Sequence, residues 1–333
     1  MTEAQITEWI AHKKPAGGID CSYFFARQLS GESSVPIGLI PCAIGAALAV
    51  WDPDKRDQNR YGFMYHHVMK SGGRVKGMLW FQGEQDAVYG DEHQTLTKPS
   101  LIYPMSTYAR EFKKFVEALR KDFRHPQMPV ITAQIGRHHQ GEKARYKYWE
   151  EMREIQRLIP EQVPNVHVVP TVDLDLFDGI HLDYRAHKRL GPRMAYLALP
   201  YVKRGMAPRS EMKLRSVRFT DTPLAKPRGG EYPIVVEFGG VTGKLGSPGT
   251  PTGFRLREKS TGEDVDWIYA VKFDPQRPNI VTLNWRLPPA KSRLAENQKW
   301  DLLLLYGPGA APYVNITDDN DMAVPAFGPI EVK

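Results

Sequence analysis

Val75-Lys76-Gly77-Met78-Leu79-Trp80-Phe81-Gln82-Gly83-Glu84-Gln85-Asp86 is the stretch on which the fold turns. Val75 to Phe81 is an apolar run of strand length, and it stops in polar and glycine residues. A second run, Val166 to Val172, is followed closely by Asp178-Gly179-Ile180-His181. Around these runs the chain alternates between two periods from about residue 17 to 200. Helices are expected over Ser22–Leu29, Tyr61–Ser71, Thr107–Phe123, Arg145–Leu158 and Tyr184–Leu199, the last kinked at Gly191-Pro192. Thr107–Phe123 has the clearest pattern, with Tyr108, Phe112, Phe115, Val116 and Leu119 at helical spacing. Strands are expected over Val35–Cys42, Val75–Phe81, Pro129–Ile135 and Val166–Val172. Strands separated by helices imply parallel pairing, hence a three-layer α/β domain.

Residues 201 to about 210 read as a linker, after which Pro and Gly become dense. Short β-type runs follow at Ile234–Phe238, Phe254–Arg257, Trp267–Phe273, Ile280–Trp285 and Leu302–Tyr306. That spacing suggests a small C-terminal β-sandwich module. The expected division is therefore residues 1–204 for the α/β domain and 205–333 for the module.

The 333 residues are 41% hydrophobic and 25% charged, an ordinary globular balance. The net charge of +7 comes from scattered Lys and Arg, with no basic stripe interleaved with aromatics, so no nucleic-acid partner is expected. No apolar stretch approaches the ~20 residues of a membrane span, and Met1–Lys14 lacks the apolar core of a secretory signal. The two cysteines, Cys21 and Cys42, have neither metal-ligand spacing nor a disulfide framework; they read as two buried free thiols, with a single bridge as the alternative.

In open parallel α/β sheets, ligands bind beyond the carboxyl ends of the strands. The expected strands end in Cys42-Ala43-Ile44-Gly45-Ala46, in Gln82-Gly83-Glu84, in Gly136-Arg137-His138-His139, and in a segment holding Asp173, Asp175, Asp178 and His181. His181, with Asp178 three residues before it, suits a general base with its orienting carboxylate. The same pattern suits a helix cap, with Asp178 or Asp183 accepting backbone N–H groups. Gln82 at a strand end can donate toward developing negative charge, or can simply satisfy a polar loop. Glu84 is read as a brace for that loop, Gly45 as a point of close backbone approach to a ligand, and Arg137 as a contact to a sugar carboxylate or a structural salt bridge.

Taken together, Trp80-Phe81-Gln82-Gly83-Glu84-Gln85-Asp86, Pro36-Ile37-Gly38-Leu39-Ile40-Pro41-Cys42-Ala43-Ile44-Gly45 and Asp178-Gly179-Ile180-His181 closely resemble the sialate O-acetylesterase group of the SGNH/GDSL hydrolase superfamily. Gly17 to Ala26 is similar to the family's stretch before its second strand, and Leu305-Tyr306-Gly307, Asn315 and Val324 to Phe327 are similar to its β-module. The resemblance implies an SGNH-hydrolase-like domain and a carbohydrate esterase that removes acetyl groups from sialic acid or related glycans. It implies no metal or organic cofactor, and a secreted or periplasmic location. Carried over, His181 is the base, Asp178 its partner, and Gln82 with the Gly45 N–H the oxyanion donors. Ala46 and Ala47 depart from the family's second glycine and small hydroxyl residue, which bears on the shape of that part of the pocket.

The resemblance also implies a nucleophile in a Gly-Gln-Ser-Asn-type segment at the end of a first, central strand, and no such segment occurs here. Ser33, Ser34 and Ser71 precede expected strands, on the wrong edge, and Ser22 falls in an expected helix. The expectation is an N-terminally shortened domain whose first strand and serine lie before Met1. Two other readings stand beside it. One is a glycan-binding descendant that has lost its nucleophile. The other is a different enzyme using Cys42 as thiolate, or a metal held by His138, His139 and His93.

Overall fold

The structure is a computed structural model that describes residues 20–90, 102–139, 146–221, 232–287 and 301–333. Gly17–Ile19 of the family-like stretch, the Met1–Lys14 segment and His93 lie outside these residues. The chain forms two compact units. The first comprises Met1–Ile135, Gln140–Val168 and Asp175–Arg209. The second comprises Gly136–His139, Val169–Leu174 and Ser210–Lys333.

Helices α1 (Cys21–Ser33), α2 (Arg60–Lys70), α3 (Glu84–Tyr89), α4 (Tyr108–Asp122), α5 (Tyr146–Gln162) and α6 (Tyr184–Val202) belong to the first unit. With them go the strands β1 (Met78–Trp80) and β2 (Val130–Gln134) and the first three residues of β3 (Val166–Pro170), and the three strands form one sheet in that order. β1 and β2 are parallel, with Met78 beside Val130 and Trp80 beside Thr132. Helix α4 buries Tyr108, Phe112, Phe115, Val116 and Leu119, the stripe legible in the sequence. Against it stand Trp80 of β1 and Trp51, whose rings meet edge-on at 5.1 Å, with Trp80 4.7 Å from Phe115. Helix α6 starts at an Asp183 cap that accepts the Ala186 N–H, and its assignment runs unbroken through Gly191 and Pro192. Glycine is required at 191 because a Cβ there would lie 2.5 Å from Phe25 N and 2.6 Å from Cys21 O of α1.

Val35–Cys42 is not a strand, contrary to the expectation from its apolar character. Pro36 and Pro41 each remove a backbone donor, Val35 and Leu39 remain more than 40% exposed, and no ladder forms. Among the described residues, β1 therefore has a strand neighbour on one side only. The run Val75–Phe81 likewise contributes only Met78–Trp80 to the sheet.

The second unit holds two four-stranded antiparallel sheets. One is ordered β4 (Lys213–Phe219), β5 (Ile234–Gly239), β10 (Ile280–Trp285), β9 (Ile268–Phe273). The other is ordered β13 (Phe327–Glu331), β11 (Leu302–Tyr306), β7 (Phe254–Glu258), β8 (Asp264–Val265). A short pair, β6 (Leu245–Gly246) with β12 (Thr317–Asp318), completes it. The rings of Phe238 in β5 and Phe327 in β13 lie 6.3 Å apart, so the two sheets turn apolar side chains toward each other.

Candidate active site

The loop after β3 folds back on itself. Asp183 N donates to Asp175 O at 3.1 Å, Leu176 and Leu182 form an antiparallel bridge, and Phe177 N donates to His181 O at 2.8 Å. Asp178 sits at the tip of this small hairpin. Its Oδ1 accepts the N–H groups of Ile180 and His181, both at 2.8 Å, and its Oδ2 lies 2.8 Å from His181 Nδ1. These donors hold the Asp178 carboxyl well below the usual range, the backbone N–H groups contributing most. An ionised Asp178 fixes the proton on Nδ1 and leaves Nε2 as the acceptor. The imidazole is 76% exposed, and among the described residues no hydroxyl meets Nε2. Asp183 caps α6, while Asp178 fills both roles weighed from sequence, one oxygen accepting backbone N–H groups and the other meeting the histidine ring.

At the end of β1 the chain makes a different arrangement. The Gln82 side chain is buried, and Nε2 donates to Ala46 O at 3.2 Å and also to Asp86 Oδ2. Its Oε1 accepts from the Tyr108 hydroxyl at 3.0 Å. Asp86 Oδ2 also accepts the Leu48 N–H at 3.1 Å. Both amide protons of Gln82 are thus engaged inside the protein. The Ala46 contact places the segment Gly45–Ala46 alongside Gln82. Gly45 is exposed, with open space where a Cβ would stand. From α5, Gln156 Nε2 donates to Gln82 O at 2.8 Å while its Oε1 accepts Ile135 N at 2.8 Å, tying the ends of β1 and β2 together. Gly83 is at φ +137°, and a Cβ there would lie 2.6 Å from Gln156 Nε2.

Two carboxyls in this turn are perturbed upward. Burial raises Glu84 to about 7, with Asp86 adding to the shift and its own backbone N–H and His181 opposing it. Burial raises Asp86 to about 6 against the hydrogen bonds from Gln82 and Leu48. Glu84 therefore lies within electrostatic reach of His181, which links the β1 turn to the hairpin.

Other sequence candidates sit elsewhere or are chemically quiet. Arg137 belongs to the second unit, where Nη2 and Nε donate to Leu174 O at 2.8 and 3.3 Å. His138 is in the same unit, its N–H bonded to Ala310 O. Among the described residues no three His, Cys, Asp or Glu side chains are grouped as a metal site. Burial pushes the Cys42 thiol up to about 11 and the Cys21 thiol up to about 12, so neither is a thiolate at neutral pH. The Ser22 hydroxyl bonds Asp20, Ser33 bonds Leu29 O, and Ser71 bonds His67 O, all local helix-end contacts. Sequence reasoning passed over Asp86, Tyr108 and Gln156 as site residues. A signal existed for Gln156: it falls in phase with Trp149, Met152 and Ile159, a polar residue on the buried stripe of α5. Asp86 stands one helical turn after Gln82, in reach of its amide.

The family model described as carbohydrate esterase, sialic acid-specific acetylesterase, matches residues 3–199. A probable carbohydrate esterase of Arabidopsis thaliana is 28% identical over 171 residues, which is 51% of this chain. The crystal structure of a carbohydrate acetylesterase from Xanthomonas citri superposes with a TM-score of 0.68 over 92% of this chain at 21% identity, a likeness of fold. This chain spans 57% of the Arabidopsis protein and 64% of the Xanthomonas one.

Proposed function

We propose, since the chain belongs to the carbohydrate esterase family of sialic acid-specific acetylesterases, that its hairpin and β1 turn are parts of an O-acetylesterase site of the Ser-His-Asp type. The observation that carries this is the Asp178–His181 pair, a carboxylate anchored by two backbone N–H groups and set 2.8 Å from Nδ1 of an accessible imidazole. An SGNH-type three-layer domain at residues 1–204, with a module at 205–333, is the architecture that goes with it. The substrate class is an O-acetylated glycan, with O-acetyl sialic acid first among the candidates.

In this reading a serine hydroxyl outside the described residues attacks the acetyl carbonyl, and His181 Nε2 takes its proton. Asp178 stabilises the imidazolium that forms. The His181 imidazolium gives that proton to the departing sugar oxygen as its bond to the acetyl carbon breaks. Water then attacks the acetyl-serine, and His181 takes the water proton and returns it to the serine oxygen as acetate leaves. The oxyanion is held by the Gly45 N–H and by Gln82, whose amide exchanges its longer bond, to Ala46 O, for one to the substrate. Glu84 supports the turn between Gln82 and His181. The test is acetate release from O-acetylated methyl glycosides, sialic and neutral, by the full gene product and its His181→Ala variant. A loss on the order of 10⁴-fold or more in the variant is expected. Turnover that survives His181→Ala overturns the reading.

A second reading has its own support. Both Gln82 protons are already engaged, and no hydroxyl meets His181 Nε2 among the described residues. A glycan-binding protein without turnover fits those facts, and glycoside binding with no acetate release by the full gene product selects it.

A further inference from the structure

The hairpin that presents His181 also presents an aromatic ring that the esterase reading leaves unused. Phe177 is 82% exposed, the most exposed of the large hydrophobic side chains among the described residues. Single surface hydrophobics are common and need no explanation by themselves. The position of this one is another matter. Asp175 with Asp183, Leu176 with Leu182, and Phe177 with His181 are successive opposing pairs of one antiparallel ladder. Opposing residues in such a ladder point to the same face, with Cβ atoms ~5 Å apart. The next pair points to the other face, and Leu182 there is buried at 7% exposure. Phe177 and His181 therefore stand side by side on the outward face. The base shares that face with an apolar ring.

A second exposed aromatic bank follows in the chain. Tyr184, the first residue of α6, is 59% exposed and its ring lies 5.6 Å from Phe24, which in turn lies 5.3 Å from Tyr23, 48% exposed. A pyranose ring offers a flat patch of C–H groups on one face and hydroxyls at its rim. An aromatic wall with a few polar groups beside it is the lining that orients such a ligand.

We propose that Phe177 is the sugar-stacking wall of the site: the pyranose bearing the ester lays its C–H face on the Phe177 ring, which brings the acetyl carbonyl alongside His181 Nε2. This rests on the esterase reading for the identity of the ligand. Phe177 then sets affinity for the sugar, and the chemistry stays with His181 and Asp178. An acetyl ester without a sugar gains nothing from the ring.

The experiment compares the full gene product with Phe177→Ala and Phe177→Trp. Substrates are O-acetylated methyl glycosides on sialic and neutral hexose scaffolds, and ethyl acetate, which carries no ring. The expected result for Phe177→Ala is a KM for the glycoside about tenfold higher at nearly unchanged kcat, with kcat/KM for ethyl acetate unmoved and the Trp variant close to wild type. Equal effects on glycoside and ethyl acetate, or no effect on either, overturn the proposal while the esterase reading stands. A titration of the phenylalanine-labelled protein with the non-acetylated methyl glycosides, followed by NMR of the ring resonances, separates the remaining cases. If no ester is turned over but the Phe177 signals shift, the stacking wall stands and the esterase reading falls. If neither turnover nor shift occurs, both fall. The scaffold that shifts the signals tells an acidic from a neutral sugar.

Discussion

The hairpin around Asp178 and the turn from Gln82 to Asp86 each carry carboxylates, one bonded to the His181 ring and one, Glu84, within electrostatic reach of it, yet their physics is opposite. Asp178 is exposed, receives two backbone N–H groups and the His181 ring, and its carboxyl is held well below the usual range. Asp86 is buried and Glu84 half-buried, and burial lifts them to about 6 and about 7. Asp86 is met by Leu48 N and Gln82, but its Oδ1 has no hydrogen-bond partner among the described residues. A fixed charge is useful where it must meet a developing imidazolium. A carboxyl near its titration point holds a turn together and keeps net charge low in an apolar setting. Residue type alone does not separate these tasks; the donors around each oxygen do.

The largest expected effect tests the exposed half. Asp178→Asn replaces the anion by an amide that cannot fix the Nδ1 proton in the required tautomer. Turnover of an acetylated glycoside is expected to drop by about 10³–10⁴-fold. The urea unfolding midpoint is expected to fall only slightly, because the amide oxygen still accepts the two backbone N–H groups and the exposed charge is screened by solvent. A large fall would mean that the hairpin is held by the pair rather than the reverse, and the contrast with the buried turn would weaken.

The next test loads the buried half. Gly83→Ala forces a side chain at φ +137° and puts a Cβ 2.6 Å from Gln156 Nε2 and 3.1 Å from Ile135 Cγ2. Both the backbone strain and the clash destabilise, by about 2–4 kcal/mol together. Denaturant unfolding measures it directly. A loss well under 1 kcal/mol would show that α5 yields easily and that Gln156 does not clamp the strand ends.

Those contrasts explain what was legible in the sequence. Periodicity reports burial, so α4 could be read from its apolar stripe and the parallel core from its runs. Pairing is a property of two segments, which is why Val35–Cys42 misled: its apolar residues are right for a strand, but two prolines and the lack of a ladder leave it irregular. Strand β4 was missed for a related reason. Its register shifts between Leu214 and Ser216, and the alternation that marks a half-buried strand slips with it. At the site, Asp178 and His181 are joined by local geometry, three residues apart, and were readable. The engagement of Gln82 was not, since it depends on Ala46, Asp86 and Tyr108 arriving from three separate segments.

The smallest effect gives the finest test of the contrast. A Glu84 carboxyl raised from 4.5 to about 7 binds its proton more tightly in the folded than in the unfolded chain. Its contribution to stability is thus complete below about pH 4.5 and is lost as pH rises through about 7, the reverse of the Asp178 case. Glu84→Gln stays neutral throughout and escapes that loss. Compared with wild type, the variant should gain on the order of 2 kcal/mol between pH 4.5 and pH 8, whatever constant offset the altered packing brings. Asp86 titrates in both proteins and largely cancels in the difference. Paired denaturation curves across that window read it out. A difference that does not change with pH would place Glu84 among the ordinary ionised carboxylates, and the opposition between the two halves of the site would then rest on Asp86 alone.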